Sequence, residues 1–280
     1  MTAGRDDRSE ILTDADGPGG GTDATRLVRD ISPQYNFGIY HWRRRGRRLL
    51  VSLAVAALGA VGWRHSGGRW SRALASVAFT VGVTRGARTI RTLLSPPPWA
   101  LERDKYAALA EELPLEGGDR ILDVGCGTGR SLVGFASRLP PSATVVGLDV
   151  FDDRVILGNA PALARRNARR AGLEVTPVRG DASRLPLADD SQDVVTACRV
   201  LHDLPATAVD PALCEFARIL AADGALGVLE LPLTPAGVDA EPAEYWLERI
   251  EEAGFRLETV RQVPRRGTNG SYLLVVASPT

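Results

Sequence analysis

The chain has 280 residues with 34 basic and 34 acidic side chains, enough for one α/β domain plus an appendage. The neutral total hides a division: residues 1–100 carry 15 Arg against 7 acidic groups, a net of +8, and residues 101–280 carry 19 basic against 27 acidic groups, a net of −8. Cys126, Cys198 and Cys214 have no CxxC spacing, and His41, His65 and His202 are scattered, which argues against a zinc site. An odd cysteine count fits a reducing, cytoplasmic compartment.

In chain order, residues 1–35 are polar, include GPGGG at 17–21 and read as a disordered tail. No apolar run follows the first basic residues, so a signal peptide is not expected. Residues 36–95 form a basic, apolar unit. WRRRGRR (42–48) precedes fifteen uncharged residues, LLVSLAVAALGAVGW (49–63). A second apolar run lies at about 70–84, after the turn-like RHSGGR (64–69). Two short helices joined by a Gly-Gly turn, with Trp63 and Trp70 beside it, predict a membrane hairpin. A fifteen-residue helix is about 22 Å long and needs its flanks to cross a core of ~30 Å. Arginines at 43–48 and 85–91 outnumber those between the runs, so the positive-inside rule puts both ends in the cytoplasm. The competing expectation is a soluble hairpin buried against the following domain.

SPPPW (95–99) breaks any helix, so residues 96–99 read as a stiff linker and 100–280 as the second domain. Helices are predicted at 101–113, 129–138, 160–171, 211–221 and 242–253. Strands are predicted at 120–124, 144–149, 174–179, 193–198, 225–230, 255–263 and 271–277. Alternating strands and helices imply a mostly parallel sheet covered on both faces, closed by an antiparallel hairpin at one edge.

ILDVGCGTG (121–129) falls where the first strand hands over to a helix. Gly125, Gly127 and Gly129 allow a sharp turn and close approach to a ligand. Position 130 is Arg, so the spacing is GxGxG and not the GxGxxG of dinucleotide folds. Asp123 would repel a pyrophosphate but suits a ligand bearing an ammonium and a sulfonium, as S-adenosylmethionine does. Cys126 offers its backbone and a small side chain. VVGLDV (145–150) ends in Asp149, 26 residues after Asp123, and in Val150. An acid there can accept from both ribose hydroxyls. In GDASRLPL (180–187), Asp181 is placed to accept from an adenine amino group and Ala182 to donate its backbone N–H. A solvated strand-end acid at 149 and a helix cap at 181 are the plainer alternatives. SQDVVTACRVLHDL (191–204) runs toward the reactive edge, where Arg199 offers its backbone. His202 there is either a general base for the acceptor or a structural histidine.

Four motifs in register (D-x-G-x-G-x-G, the acidic strand end, GDA…LP, and the DVV strand followed by the helix, turn and strand of ARILAADGALGVLEL, 217–231) resemble the class I S-adenosylmethionine-dependent methyltransferases. Among these the small-molecule and quinone type is most similar, over about residues 101–280. The resemblance implies a Rossmann-like seven-stranded sheet with one reversed edge strand. It places S-adenosylmethionine across the carboxyl ends of the first two strands. The expected activity is methyl transfer to a small, lipophilic acceptor at the cytoplasmic face of a membrane, anchored through 49–84. An RNA methyltransferase using WRRRGRR as an arm fits poorly with the acidic domain and the absence of an aromatic platform, so nucleic acid is not an expected partner. A cofactor-binding scaffold without catalysis is the third reading, opposed by the intact Asp123, Asp149 and glycines.

Overall fold

A computed structural model describes residues 34–95, 97–115 and 119–280. The tail expected at 1–35 therefore lies outside the described residues except for Gln34 and Tyr35, and Pro96 of the linker is outside them too.

Two helices follow a short strand, β1 (Ile39–Tyr40): α1 (Trp42–His65) and α2 (Arg69–Leu93). Both outrun the apolar stretches that predicted them, because arginine is a good helix former and the flanks continue the turns. At 24 and 25 residues they are each about 36 Å long. They pair antiparallel through small side chains. A Cβ added at Gly59 would lie 2.4 Å from the Phe79 nitrogen, and one at Gly82 would lie 2.4 Å from the Ala56 nitrogen. Ser52, Ala56, Ala75 and Gly86 are the other residues buried along this seam. The remaining faces are bare: Leu58 is 71% exposed, Trp70 76% and Leu74 73%. The hairpin is thus not buried against the following domain, as the soluble expectation required. Of the two helices, only α1 is apolar and long enough to cross a bilayer among the described residues. In α2 the uncharged run between Arg72 and Arg85 is only 73–84, against 49–63 in α1, so one candidate span replaces the two that were expected.

The rest of the chain folds as α3 (Arg103–Glu112), β2 (Arg120–Val124), α4 (Arg130–Phe135), β3 (Thr144–Asp149), β4 (Ile156–Leu157), α5 (Pro161–Arg170), β5 (Val175–Arg179), β6 (Gln192–Cys198), α6 (Ala206–Ile219), β7 (Leu220–Glu230), α7 (Pro242–Glu252), β8 (Phe255–Pro264) and β9 (Ser271–Pro279). Seven strands form one sheet in the order β5-β3-β2-β6-β7-β9-β8. The first five are mutually parallel, and β9 runs antiparallel to both β7 and β8. The reversed strand expected at an edge sits one place in, with β8 outside it as the second arm of the hairpin. The fold is the mixed, Rossmann-like α/β sheet that the alternating pattern predicted.

Side chains alternate between two cores because successive strand residues point to opposite faces. On β2, Ile121 joins the core under α3, α4 and α5, with Tyr106, Leu132 and Ala164. Its neighbour Leu122 joins the core under α6 and α7, with Phe216, Trp246 and Ile250. β2 is where the strand order reverses: the chain steps out to β3 and β5, then returns to β6 on the other side of β2. In open α/β sheets the crevice at the carboxyl ends of such a pair holds the ligand.

A segment that the sequence did not single out closes over this end. Residues 35–41 form a strap lying on the glycine loop. Phe37 is fully buried and stacks on Tyr35 at 5.7 Å. The Thr128 hydroxyl donates to the Phe37 carbonyl (3.1 Å), and Asn167 Nδ2 donates to the carbonyls of Asn36 (2.7 Å) and Thr128 (2.8 Å). β1 pairs antiparallel with β4, Ile39 opposite Leu157. The Phe37 N–H donates to the Pro98 carbonyl (2.6 Å), so the segments entering and leaving the hairpin are joined at its base. Trp42 Nε1 donates to the Asp153 carbonyl (2.7 Å).

Candidate active site

The glycine loop turns sharply off β2. Gly125, Gly127 and Gly129 all have positive φ, at 69°, 51° and 82°. A side chain at Gly125 would collide with Val200, its Cβ 2.3 Å from Val200 Cγ2. Gly127 differs: the nearest atoms to an added Cβ are Asn159 Oδ1 and Asp149 Oδ2, both 3.9 Å away. A Cβ there would meet polar oxygens at ordinary van der Waals distance.

Asp149 stands at the carboxyl end of β3, as expected. Its Oδ2 accepts from the Gly127 N–H (3.0 Å), and its Oδ1 accepts from the Phe151 N–H (2.6 Å) and Asn159 Nδ2 (3.2 Å). A carboxylate offers about four lone-pair sites, so accepting capacity remains. Asn159 Oδ1 beside it is buried with no hydrogen-bond partner among the described residues. A buried unsatisfied acceptor points to a donor supplied by a ligand. Asp149 and Asn159 thus offer acceptors over Gly127, as the paired hydroxyls of a ribose require, and the residues fit S-adenosylmethionine there. Asn159 escaped the sequence reading because LGNAPA (157–162) looks like an ordinary helix entry.

Asp123 is in the site but faces inward. It is 1% exposed, and both oxygens are taken: Ser131 Oγ donates to Oδ2 and Thr196 Oγ1 donates to Oδ1 (2.9 Å). Burial raises its pKa to about 7, with the charge of Asp149 adding to the rise and the two hydroxyls opposing it. Its carboxylate braces β2 against β6 and α4 under the loop, in place of the direct cofactor contact that its position suggested.

The other assigned residues fall around the cleft. Val150 is 52% exposed beside Asp149. Asp181 Oδ1 accepts from the N–H and hydroxyl of Ser183 (2.9 and 2.8 Å), so the acid caps a turn, and these bonds lower its pKa. Ala182 behind it is buried. The Cys126 side chain turns into the core toward β3, where its sulfur packs on Gly147, and burial pushes its thiol well up.

At the end of β6, Arg199 adopts a left-handed conformation (φ 60°), and its N–H donates to the Leu229 carbonyl (2.7 Å). That backbone N–H is therefore spent on β7. Its side chain is the more telling feature: Nε is buried without a hydrogen-bond partner among the described residues. The guanidinium lies within electrostatic range of Tyr106, Tyr40, Tyr272 and Glu102. Lys105 Nζ donates to Glu102 (3.0 Å) and to the Tyr272 hydroxyl (2.8 Å), and burial lowers its pKa to about 8.

His202 lies in the single 3-10 turn after β6 (Leu201–Asp203), and its Nδ1 is 2.5 Å from Glu230 Oε1. Glu230, at the carboxyl end of β7, is fully buried and also accepts from the Leu201 N–H (2.9 Å). Burial works against the imidazolium, but the hydrogen bond and charge of Glu230 outweigh it and raise the His202 pKa. The sequence reading missed Glu230. Its signal was an acid ending an otherwise apolar strand, GALGVLEL.

This geometry has known relatives. Residues 121–224 match the family model for a methyltransferase domain. A demethylmenaquinone methyltransferase of Lactobacillus johnsonii is 36% identical over 122 residues, 43% of this chain and 47% of that protein. The 27-O-demethylrifamycin SV methyltransferase of Amycolatopsis mediterranei is 34% identical over 148 residues, 52% of this chain and 50% of that protein. The chain spans about half the length of these curated relatives. Among solved structures, the [4+2]-cyclase SpnF superposes with a TM-score of 0.52 at 24% identity, covering 63% of this chain and 81% of that one. That likeness concerns the fold, and one fold can host several reactions. The matched methyltransferase domain supports S-adenosylmethionine as the cofactor and contains the loop, Asp149, Asn159, Asp181 and His202.

Proposed function

We propose that the protein is an S-adenosylmethionine-dependent methyltransferase acting on a small, lipophilic acceptor, held at the cytoplasmic face of a membrane by its helical hairpin. The observation that carries the reading is the pair of acceptors, Asp149 and the unpartnered Asn159 Oδ1, beside the Gly127 backbone at the strand-order switch. When bound, S-adenosylmethionine supplies a methyl group already activated by its sulfonium. The chain's part is to bind, orient and move a proton. Asp149 and Asn159 hold the ribose, Val150 and Ala182 flank the adenine, and Asp181 accepts from its amino group through the free oxygen. Gly125, Gly127 and Gly129 shape the loop, and Cys126 supplies backbone to it. Asp123 fixes that loop and contributes negative charge from below.

His202 is the base for the acceptor proton, oriented through Nδ1 by Glu230, with Nε2, 3.6 Å from Asp203 Oδ1, as the nitrogen that takes the proton. The dyad is neutral-plus-anionic only above the raised histidine pKa, so activity should rise with pH through that titration. Similarity to quinone and antibiotic methyltransferases supports an acceptor that is small and organic. The bare apolar faces of the hairpin support a membrane-borne one.

Calorimetry with S-adenosylmethionine tests the first half. Asp149→Asn should weaken binding about 10–100-fold, the worth of one charge-assisted hydrogen-bond set. Transfer of label from the cofactor into the organism's lipid extract tests the second. His202→Gln should lower kcat by about 10²–10⁴-fold with cofactor affinity intact. Wild-type protein that binds no cofactor would end the reading.

A further inference from the structure

The hairpin carries a feature that membrane crossing alone does not require. Between residues 31 and 101 the chain has no acidic residue, yet α1 and α2 hold eleven arginines. Because the helices run antiparallel, the arginines starting α1 and those ending α2 meet at one end. There a groove of about 650 Å³ opens between the helices. Arg47, Arg48, Arg85 and Arg88 line it toward that end, and Val51, Val55 and Val81 line it further along the helices. None of those four arginines has an acidic partner among the described residues. Arg45 instead donates to the Thr92 carbonyl (2.8 Å) and ties the groove's two walls together. Gly82 lets the walls meet, because any side chain there would strike the α1 backbone.

We propose that this groove binds the phosphate headgroup of an anionic phospholipid, with the arginines on the phosphate and the start of an acyl chain along the valines. The proposal rests on reading the hairpin as membrane-inserted. Cationic charge without internal counterions calls for an external anion, and arginine forks suit phosphate oxygens. The apolar continuation of the groove selects a lipid over a free phosphate. Basic pockets between helices near a membrane surface recognise headgroups in this way.

The test compares two triple variants of the full chain with equal loss of charge. Arg48→Gln/Arg85→Gln/Arg88→Gln removes three of the groove's arginines. Arg43→Gln/Arg44→Gln/Arg91→Gln removes arginines outside it. Each is partitioned between phosphatidylcholine vesicles and equimolar phosphatidylcholine–phosphatidylglycerol vesicles, with cofactor binding in detergent as the check of folding. The groove variant should lose on the order of tenfold in its preference for phosphatidylglycerol, while the outer variant keeps most of it. Equal losses in both would mean a diffuse surface field and would overturn the site. An unchanged preference in both would overturn it as well. A wild-type protein that enters neither kind of vesicle would instead remove the membrane reading beneath the proposal.

Discussion

The three loop glycines look alike in sequence and are held for different reasons. Gly125 is required by the fold: an alanine there combines a left-handed backbone with a collision against Val200. Gly125→Ala should cost about 2–5 kcal/mol, read by chemical denaturation. Gly127→Ala meets no neighbour closer than 3.9 Å and should cost only about 1–2 kcal/mol of stability. Its methyl would occupy the space over the loop, so cofactor affinity should fall far more than stability does. Asp123 adds a pH signature. Its folded pKa of about 7 stands above the ordinary 3.8, so the native state holds the proton more tightly. That contribution to stability is complete below about pH 4 and is lost as pH rises through 7. The cofactor is cationic and favours the ionised form, so binding should tighten across the same window. Asp123→Asn should flatten both dependences, measured by thermal melts and by calorimetry at several pH values. Residue types and spacing singled out Asp149, Asp181 and the glycines, which the fold gathers at the carboxyl ends of neighbouring strands. Asn159 and Glu230 were not, because their meaning lies in an unpaired oxygen and a buried partner that only the folded chain brings together.

At the scale of elements, the domain's strands were readable because each shows apolar alternation or a continuous apolar run between turn residues. The boundaries of β2 and β3 match the expected spans to the residue. α6 begins five residues before its predicted start at 211, and Pro211, its sixth residue, lies inside the helix at the cost of the bond its N–H would make to the Thr207 carbonyl. The strap was invisible for a different reason. Residues 35–41 carry no periodicity and are fixed by long-range bonds, above all those of the fully buried Asn167. Asn167→Ala would leave the Asn36 and Thr128 carbonyls without that donor. It should destabilise the domain by about 1–3 kcal/mol and loosen the glycine loop, seen as faster amide exchange at 125–129.

For the whole molecule, the strap changes how the helical hairpin must be removed. Cutting away residues 1–98 would also strip Phe37 and Tyr35 from the core. Such a truncation should lose cofactor binding for reasons unrelated to membranes. Replacing 42–93 with a short Gly-Ser linker keeps the strap, and the Phe37–Pro98 bond shows the two ends are already close. That variant should fold, bind the cofactor as wild type does and no longer float with vesicles. A vesicle-bound linker variant would show that 42–93 is not the anchor. The join at the hairpin's base has a mechanical consequence. With both strands of the neck fastened to the catalytic domain, through the strap on one side and Pro98 on the other, the protein does not hang from a flexible tether. On the proposed membrane reading, the cleft would stand at a set height above the lipid, like a reading head over a track. Acceptors would then be sorted by how far their reactive atom protrudes from the bilayer as well as by chemical type, and lengthening the neck should shift that selection.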